Sequence, residues 1–180
     1  IQFFIGSDDL YGCAFPTISD GADSGTDFRV IFHEDPSILR PCLNYYKVMD
    51  LYNLDHPFTT QDWTETSVGL LAQPAQMAPH PSCKQGEDLV NKLDDEFDLD
   101  GYDVLEGGCP EAHVGGYPIY TQSDIAYEPE HAEFDTVLLS IGSPQDIVMF
   151  GDTGRANFLI SKADLIRSDF TRVAYTWDCH

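Results

Sequence analysis

The decapeptide Ile1-Gln2-Phe3-Phe4-Ile5-Gly6-Ser7-Asp8-Asp9-Leu10 returns near the other end of the chain as Ala156-Asn157-Phe158-Leu159-Ile160-Ser161-Lys162-Ala163-Asp164-Leu165, with four of ten positions identical. A second echo follows each copy, in the same order. Arg29-Val30 and Arg172-Val173 are each followed by an aspartate six residues after the arginine, Asp35 and Asp178. The first copy carries 12 more residues between its two parts. One matching decapeptide would be unsurprising, but two matches in order imply a repeated supersecondary unit. Each copy starts on a run of Phe, Ile and Leu and passes into Gly, Ser and Asp, so the unit reads as strand-turn-strand. A chain built on it needs a sheet with two related halves.

The rest of the chain agrees. Strand-like runs occupy residues 1–5, 28–33, 136–141, 147–150, 156–160 and 171–175, all short, rich in Phe, Ile, Val and Tyr, and bounded by turn residues. Residues 87–97 form the clearest helix, with Leu89, Val90, Leu93 and Phe97 on one side and Glu87 and Asp88 at its start. A weaker helix starts near Ser37 and is interrupted by Pro41, while residues 164–166 read as a turn or a single helical turn. Residues 58–85 hold three prolines and read as loop-rich, with one strand around residues 67–72. The expected fold is α+β: a large mixed, mostly antiparallel sheet with few short helices and an internal duplication. A chain of 180 residues with 12% aromatics fills one core, so residues 1–180 are expected to form a single domain.

Charge narrows the partners. The chain carries 31 acidic against 9 basic residues, a net −22. Such a surface repels phosphate backbones and anionic headgroups, so neither nucleic acid nor membrane is an expected partner. It attracts a basic protein or a divalent cation, and it also serves plain solubility. No apolar run approaches the roughly 20 residues of a membrane-spanning helix, and no secretory signal pattern is visible. Five scattered cysteines without a C-x-x-C pair suggest neither a disulfide framework nor a zinc finger, and the expected location is a reducing cytoplasm.

Residues 113–124 hold the densest group of chemically special side chains. Gly115 and Gly116 permit a sharp bend, and His113, Tyr117, Gln122 and Asp124 bring polar groups to it. Two readings stand: a ligand pocket, or a structural loop whose polar groups satisfy its own backbone. Asp152, in Gly151-Asp152-Thr153-Gly154, reads as part of a tight turn or as a carboxylate facing the same cleft. Residues 94–103 imitate a calcium loop when Gly101 is set at its sixth position. The twelfth then falls on Gly107 where a bidentate Glu is needed, so a solvated acidic loop is expected instead. No G-x-S-x-G, H-E-x-x-H, P-loop or G-x-G-x-x-G spacing occurs. Cys179-His180 are adjacent in sequence, which does not make a catalytic dyad. No catalytic residue, metal ligand or cofactor is assigned.

Taken in order, Ile1 to Ile5 with Asp8-Asp9 and Tyr11-Gly12, His113 with Gly115-Gly116-Tyr117-Pro118 and Gln122, Gly151-Asp152-Thr153-Gly154, Asp169-Phe170 and Trp177-Asp178-Cys179 resemble the YwqG-like bacterial family, a domain of unknown function. The resemblance implies a cytoplasmic α+β protein with a large mixed sheet, and implies that this chain corresponds to the C-terminal two-thirds of a member. It brings no catalytic residues. Members of such families stand near secreted toxin systems, which implies an immunity or antitoxin role. The acidic segments around residues 20–27 and 94–103 depart from the family pattern. The leading expectation is therefore a non-catalytic protein-binding module for a basic protein. The alternative is a small-ligand protein or enzyme with a cleft around His113, Tyr117, Gln122, Asp124 and Asp152.

Overall fold

The computed structural model describes residues 1–6, 8–14, 17–19, 28–35, 37, 71–105, 108–144 and 148–180. Seven strands and three α-helices are present among them: β1 (Gln2–Phe4), β2 (Thr17–Ile18), β3 (Arg29–Ile31), α1 (Lys84–Phe97), α2 (Gly101–Leu105), β4 (Ala112–His113), β5 (Thr136–Ile141), β6 (Arg155–Ile160), α3 (Lys162–Arg167) and β7 (Ala174–Asp178). A five-stranded sheet runs in the order β2-β7-β6-β5-β4, and β1 pairs with β3 in a separate two-stranded sheet. The pairings are antiparallel throughout. This is the sheet-dominated α+β fold that the sequence implies.

β6 holds the centre. All six of its residues are buried, because a central strand covered on both faces must satisfy two apolar layers at once. On one face Ala156, Phe158 and Ile160 join Leu138, Val173, Tyr175 and Trp177, and Phe3 and Phe28 pack over them. Phe158 lies directly opposite Tyr175 in the register, and their rings stack at 4.6 Å. Aromatic pairs of this kind add about 1 kcal/mol beyond the area they bury. On the other face Leu159, Val137 and Ala174 meet Cys83, Tyr120, Ile125 and Phe134.

The two echoed segments form equivalent strand pairs, but in separate sheets and not as the expected two halves of one sheet. β1 pairs with β3 as β6 pairs with β7, and the equivalent rings Phe3 and Phe158 meet in the core at 4.9 Å. The copies differ in register. Phe3 faces Val30, whereas Phe158 faces Tyr175, two residues beyond Val173, the counterpart of Val30. A slip of two leaves every side chain on its original face, so the apolar pattern tolerates it.

Several boundaries differ from expectation for identifiable reasons. β7 begins three residues after the expected start at 171, because the Asp169 carboxylate accepts from the Thr171 N–H (3.1 Å) and hydroxyl (2.6 Å) and holds that stretch in a turn. α3 spans Lys162–Arg167, capped by Ser161, whose hydroxyl accepts from the Asp164 N–H at 3.1 Å. The solvated loop expected at 94–103 is largely helical: it spans the end of α1 and the first turn of α2. The strand expected at 147–150 reduces to a single bridge at Val148, with Ile147 outside the described residues. Most of the helix expected from Ser37 and of the strand expected around 67–72 also falls outside them.

Candidate functional site

Polar side chains cross the large sheet in a line. His113 on β4 pairs with Ser140 on β5, Ser140 with Asn157 on β6, and Asn157 with Thr176 on β7. Arg155 and Asp178 form the adjoining pair on the same face. Strict alternation along β5 would turn Ser140 away from this line. A bulge between Val137 and Leu139 shifts the phase by one residue, so Leu139 packs with the opposite core and Ser140 joins the polar row.

Residues 117–122 lie across this row as a strap, bound to three strands in succession. The His113 Nε2–H donates to the Tyr117 carbonyl at 3.0 Å, which fixes the neutral tautomer and leaves Nδ1 as an acceptor. Asn157 Nδ2 donates to the Ile119 carbonyl at 2.9 Å. Asp178 Oδ2 accepts from the Thr121 and Gln122 N–H groups at 3.0 and 2.8 Å, and Gln122 Nε2 donates to the Cys179 carbonyl at 2.6 Å. Buried Arg155 donates to Ser140 Oγ (3.1 Å) and the Pro110 carbonyl (2.7 Å), and burial lowers its pKa. Four buried polar atoms in or beside this layer have no hydrogen-bond partner among the described residues: His113 Nδ1, Asn157 Oδ1, Asp178 Oδ1 and the Tyr120 hydroxyl. Three are acceptors, so the unmet hydrogen-bonding capacity of the layer is mainly for donors.

The expected site residues distribute as follows. Gly115 and Gly116 both adopt left-handed backbone (φ 70° and 71°), and the Gly115 N–H donates to the Val137 carbonyl at 2.9 Å, so they turn the chain from β4 into the strap. His113 meets Tyr117 at one end of the strap, over β4, and Gln122 lies at the other end, over β7, so the structure does not bring the three to one point. Asp124 lies past its end and is buried, its Oδ1 accepting from the Ala126 N–H (2.8 Å) and Oδ2 from the Lys84 N–H (2.9 Å). One carboxylate thus caps both the 3-10 turn Ile125–Tyr127 and the first turn of α1. The Tyr120 hydroxyl stands beside that carboxylate without closing a hydrogen bond of ordinary geometry, and burial pushes its pKa well up. Asp152 is exposed in the turn before β6, where its carboxylate, among the described residues, accepts only from the Thr153 hydroxyl at 3.4 Å. No hydrogen bond among the described residues joins it to the strap. The missed members of the layer are Ser140, Arg155, Asn157, Thr176 and Asp178. Their signal was a polar residue inside an otherwise apolar strand.

The layer contains no acid-base pair: no carboxylate hydrogen-bonds His113 among the described residues. Among those residues, no three His, Cys, Asp or Glu side chains converge to hold a metal ion. Burial lowers the His113 pKa, Arg155 lowers it further, and the bond to the Tyr117 carbonyl opposes both. A histidine depressed in the folded state adds nothing unfavourable above its unfolded pKa and destabilises as pH falls through it. The urea midpoint of the wild type is therefore expected to fall relative to that of His113→Gln between roughly pH 7.5 and 5.5. Gln keeps the donor to Tyr117 and cannot titrate. Parallel pH profiles would show that His113 is not held neutral.

A different surface is formed by α1 and α2. Glu87, Asp88, Asp94, Asp95, Glu96, Asp98, Asp100 and Asp103 are all exposed there, against Lys84 and Lys92. Phe97, Leu99, Tyr102 and Val104 are also exposed on these two helices and their link. No helix among the described residues is long and apolar enough to cross a membrane. Over residues 1–179 the chain matches the family described as Domain of unknown function (DUF1963). No curated protein matches it.

Proposed function

We propose, from the premise that this chain belongs to the DUF1963 family, that it is a non-catalytic binding module for a basic protein. The observation that carries this reading is the α1–α2 surface, where eight exposed carboxylates and four exposed apolar side chains share two helices and their link. Carboxylates alone would serve solubility. Apolar anchors among them supply the desolvated contact that charge does not, while the charge steers a cationic partner and sets its on-rate. The resemblance to YwqG-like proteins gives the partner a specific form, a basic toxin held by its immunity protein. Cys83, Cys109 and Cys179 are free thiols, which suits a reducing cytoplasm. The unpartnered acceptors of the polar layer favour a second reading, a small donor-bearing ligand beneath the strap.

Native mass spectrometry of the protein from its host, at low and high salt, tests the first reading. The expected result is a stoichiometric basic protein retained at low salt and released near 1 M, where the Debye length shrinks to about 3 Å. The complex should also be lost when Asp94, Asp95 and Glu96 are changed to their amides. An unaccompanied chain at low salt, or capture indifferent to those substitutions, would count against it. A bound small molecule of defined mass would favour the polar layer.

A further inference from the structure

α2 is held tightly against α1. Buried Gly101 sits where an added Cβ would lie 2.7 Å from the Val90 carbonyl, and its N–H donates to Asp94 Oδ1 at 2.7 Å. That approach brings Tyr102 to the mouth of a cleft of about 320 Å³ lined by Ser82, Glu87, Val90, Tyr102, Gln122 and Tyr127. Two tyrosines therefore wall it, each about half exposed (Tyr102 50%, Tyr127 47%). The Tyr127 hydroxyl donates to the Glu87 carboxylate, which holds both groups in place and leaves the carboxylate further acceptor positions. Glu87, Asp88 and Asp124 all act on Tyr127 electrostatically, and its pKa is pushed up to about 12, first by the bond to Glu87. Lys84, one turn earlier on α1, makes no ion pair among the described residues that would neutralise this corner.

Two aromatic walls and a fixed carboxylate form a receptor for a cation. The volume is at the lower end for a ligand pocket and suits one side chain better than a larger metabolite. A guanidinium fits this set best, since it stacks on aromatic faces and bonds a carboxylate with parallel N–H groups, whereas an ammonium is a compact, strongly hydrated charge. We infer that the cleft takes an arginine side chain of the basic partner. This rests on the binding reading above and locates its anchor.

The test is an NMR titration of the whole chain with N-acetyl-arginine-N-methylamide, and with the citrulline analogue as its uncharged isostere, following the ring signals of Tyr102 and Tyr127. The arginine probe should shift both saturably while the citrulline probe leaves them unmoved. Tyr102→Leu, which keeps an apolar wall and removes the π face, should weaken arginine binding roughly tenfold, and Glu87→Gln by a similar factor. Amide spectra unchanged outside the cleft would show that both variants are folded. Equal response to both probes, or arginine binding unaffected by Tyr102→Leu, would overturn the assignment. Failure of the cleft is separable from failure of the wider reading. Salt-sensitive capture of a basic protein that survives Tyr102→Leu leaves the acidic surface standing and removes the cleft. Arginine binding without any protein capture does the reverse.

Discussion

Gly86→Ala is expected to destabilise the protein by about 3 kcal/mol, although the same change in an ordinary helix interior stabilises by about 1 kcal/mol. Gly86 is the third residue of α1 and is buried. A methyl group there would overlap the His80 carbonyl and lie 2.9 Å from the Pro81 nitrogen, so backbone would have to move. That backbone is pinned. The Cys83 N–H donates to the His80 carbonyl at 3.0 Å, the Ser82 N–H to His80 Nδ1 at 3.1 Å, and Ser82 Oγ accepts from the Tyr120 N–H at 2.9 Å. Moving the turn away from α1 would break several of these bonds and disturb the packing of Cys83 with Tyr120. Steric overlap therefore outweighs helix propensity. Urea denaturation measures the effect, with Gly115→Ala as a matched control: an added Cβ there meets nothing within 4 Å. That control should lose only about 1 kcal/mol, from its left-handed backbone. A Gly86→Ala midpoint at or above the control's would mean that α1 does not approach the 80–83 turn this closely.

The contrast between these two glycines also marks where sequence reading succeeds. A left-handed bend at Gly115-Gly116 is announced by the residues themselves, whereas the need for glycine at 86 is imposed by a turn folded back onto the helix. The same division runs through the fold. β5 and β6 were legible because a central strand is an apolar run bounded by turn residues, and α1 because Leu89, Val90, Leu93 and Phe97 repeat at helical spacing. Its true start, three residues early, was hidden because its cap is not local: Cys83 at the N-cap makes no side-chain capping bond, its thiol donating instead to the His80 carbonyl, and the acceptor comes from Asp124. α2 was hidden by its own charge. Its local signal was Asp100, whose carboxylate accepts from the Asp103 N–H at 3.1 Å, an N-cap inside what reads as an acidic run. The echo gave two related antiparallel strand pairs, but the offset between them leaves face polarity unchanged and so leaves no mark in the pattern. For the site, clustering in sequence found His113, Tyr117 and Gln122. The rest of the polar row comes from strands far apart in the chain, and Ser140 enters it only through a bulge.

Asp124→Ala is expected to cost about 2–3 kcal/mol, since two part-buried helix-start donors lose a charged acceptor together. The side chain is 3% exposed, and its two oxygens serve different elements, Oδ1 the 3-10 turn and Oδ2 the head of α1. Asn keeps one acceptor oxygen and loses the charge that favours a helix N-terminus, so Asp124→Asn should lose about half as much. Loss of the negative charge beside Tyr120 should also lower the pH at which that phenol ionises, because the carboxylate acts with burial to hold it protonated. Asp152→Ala supplies the comparison: among the described residues its exposed carboxylate accepts only from the Thr153 hydroxyl, and its removal should change stability little. Chemical denaturation of the three variants separates two roles for Asp124. A graded loss from Asp152→Ala through Asp124→Asn to Asp124→Ala identifies the carboxylate as the clamp that seats α1 beside the strap. A protein equally stable in all three would instead leave a buried charge with no structural duty, and the polar layer would then be the better place to seek a ligand.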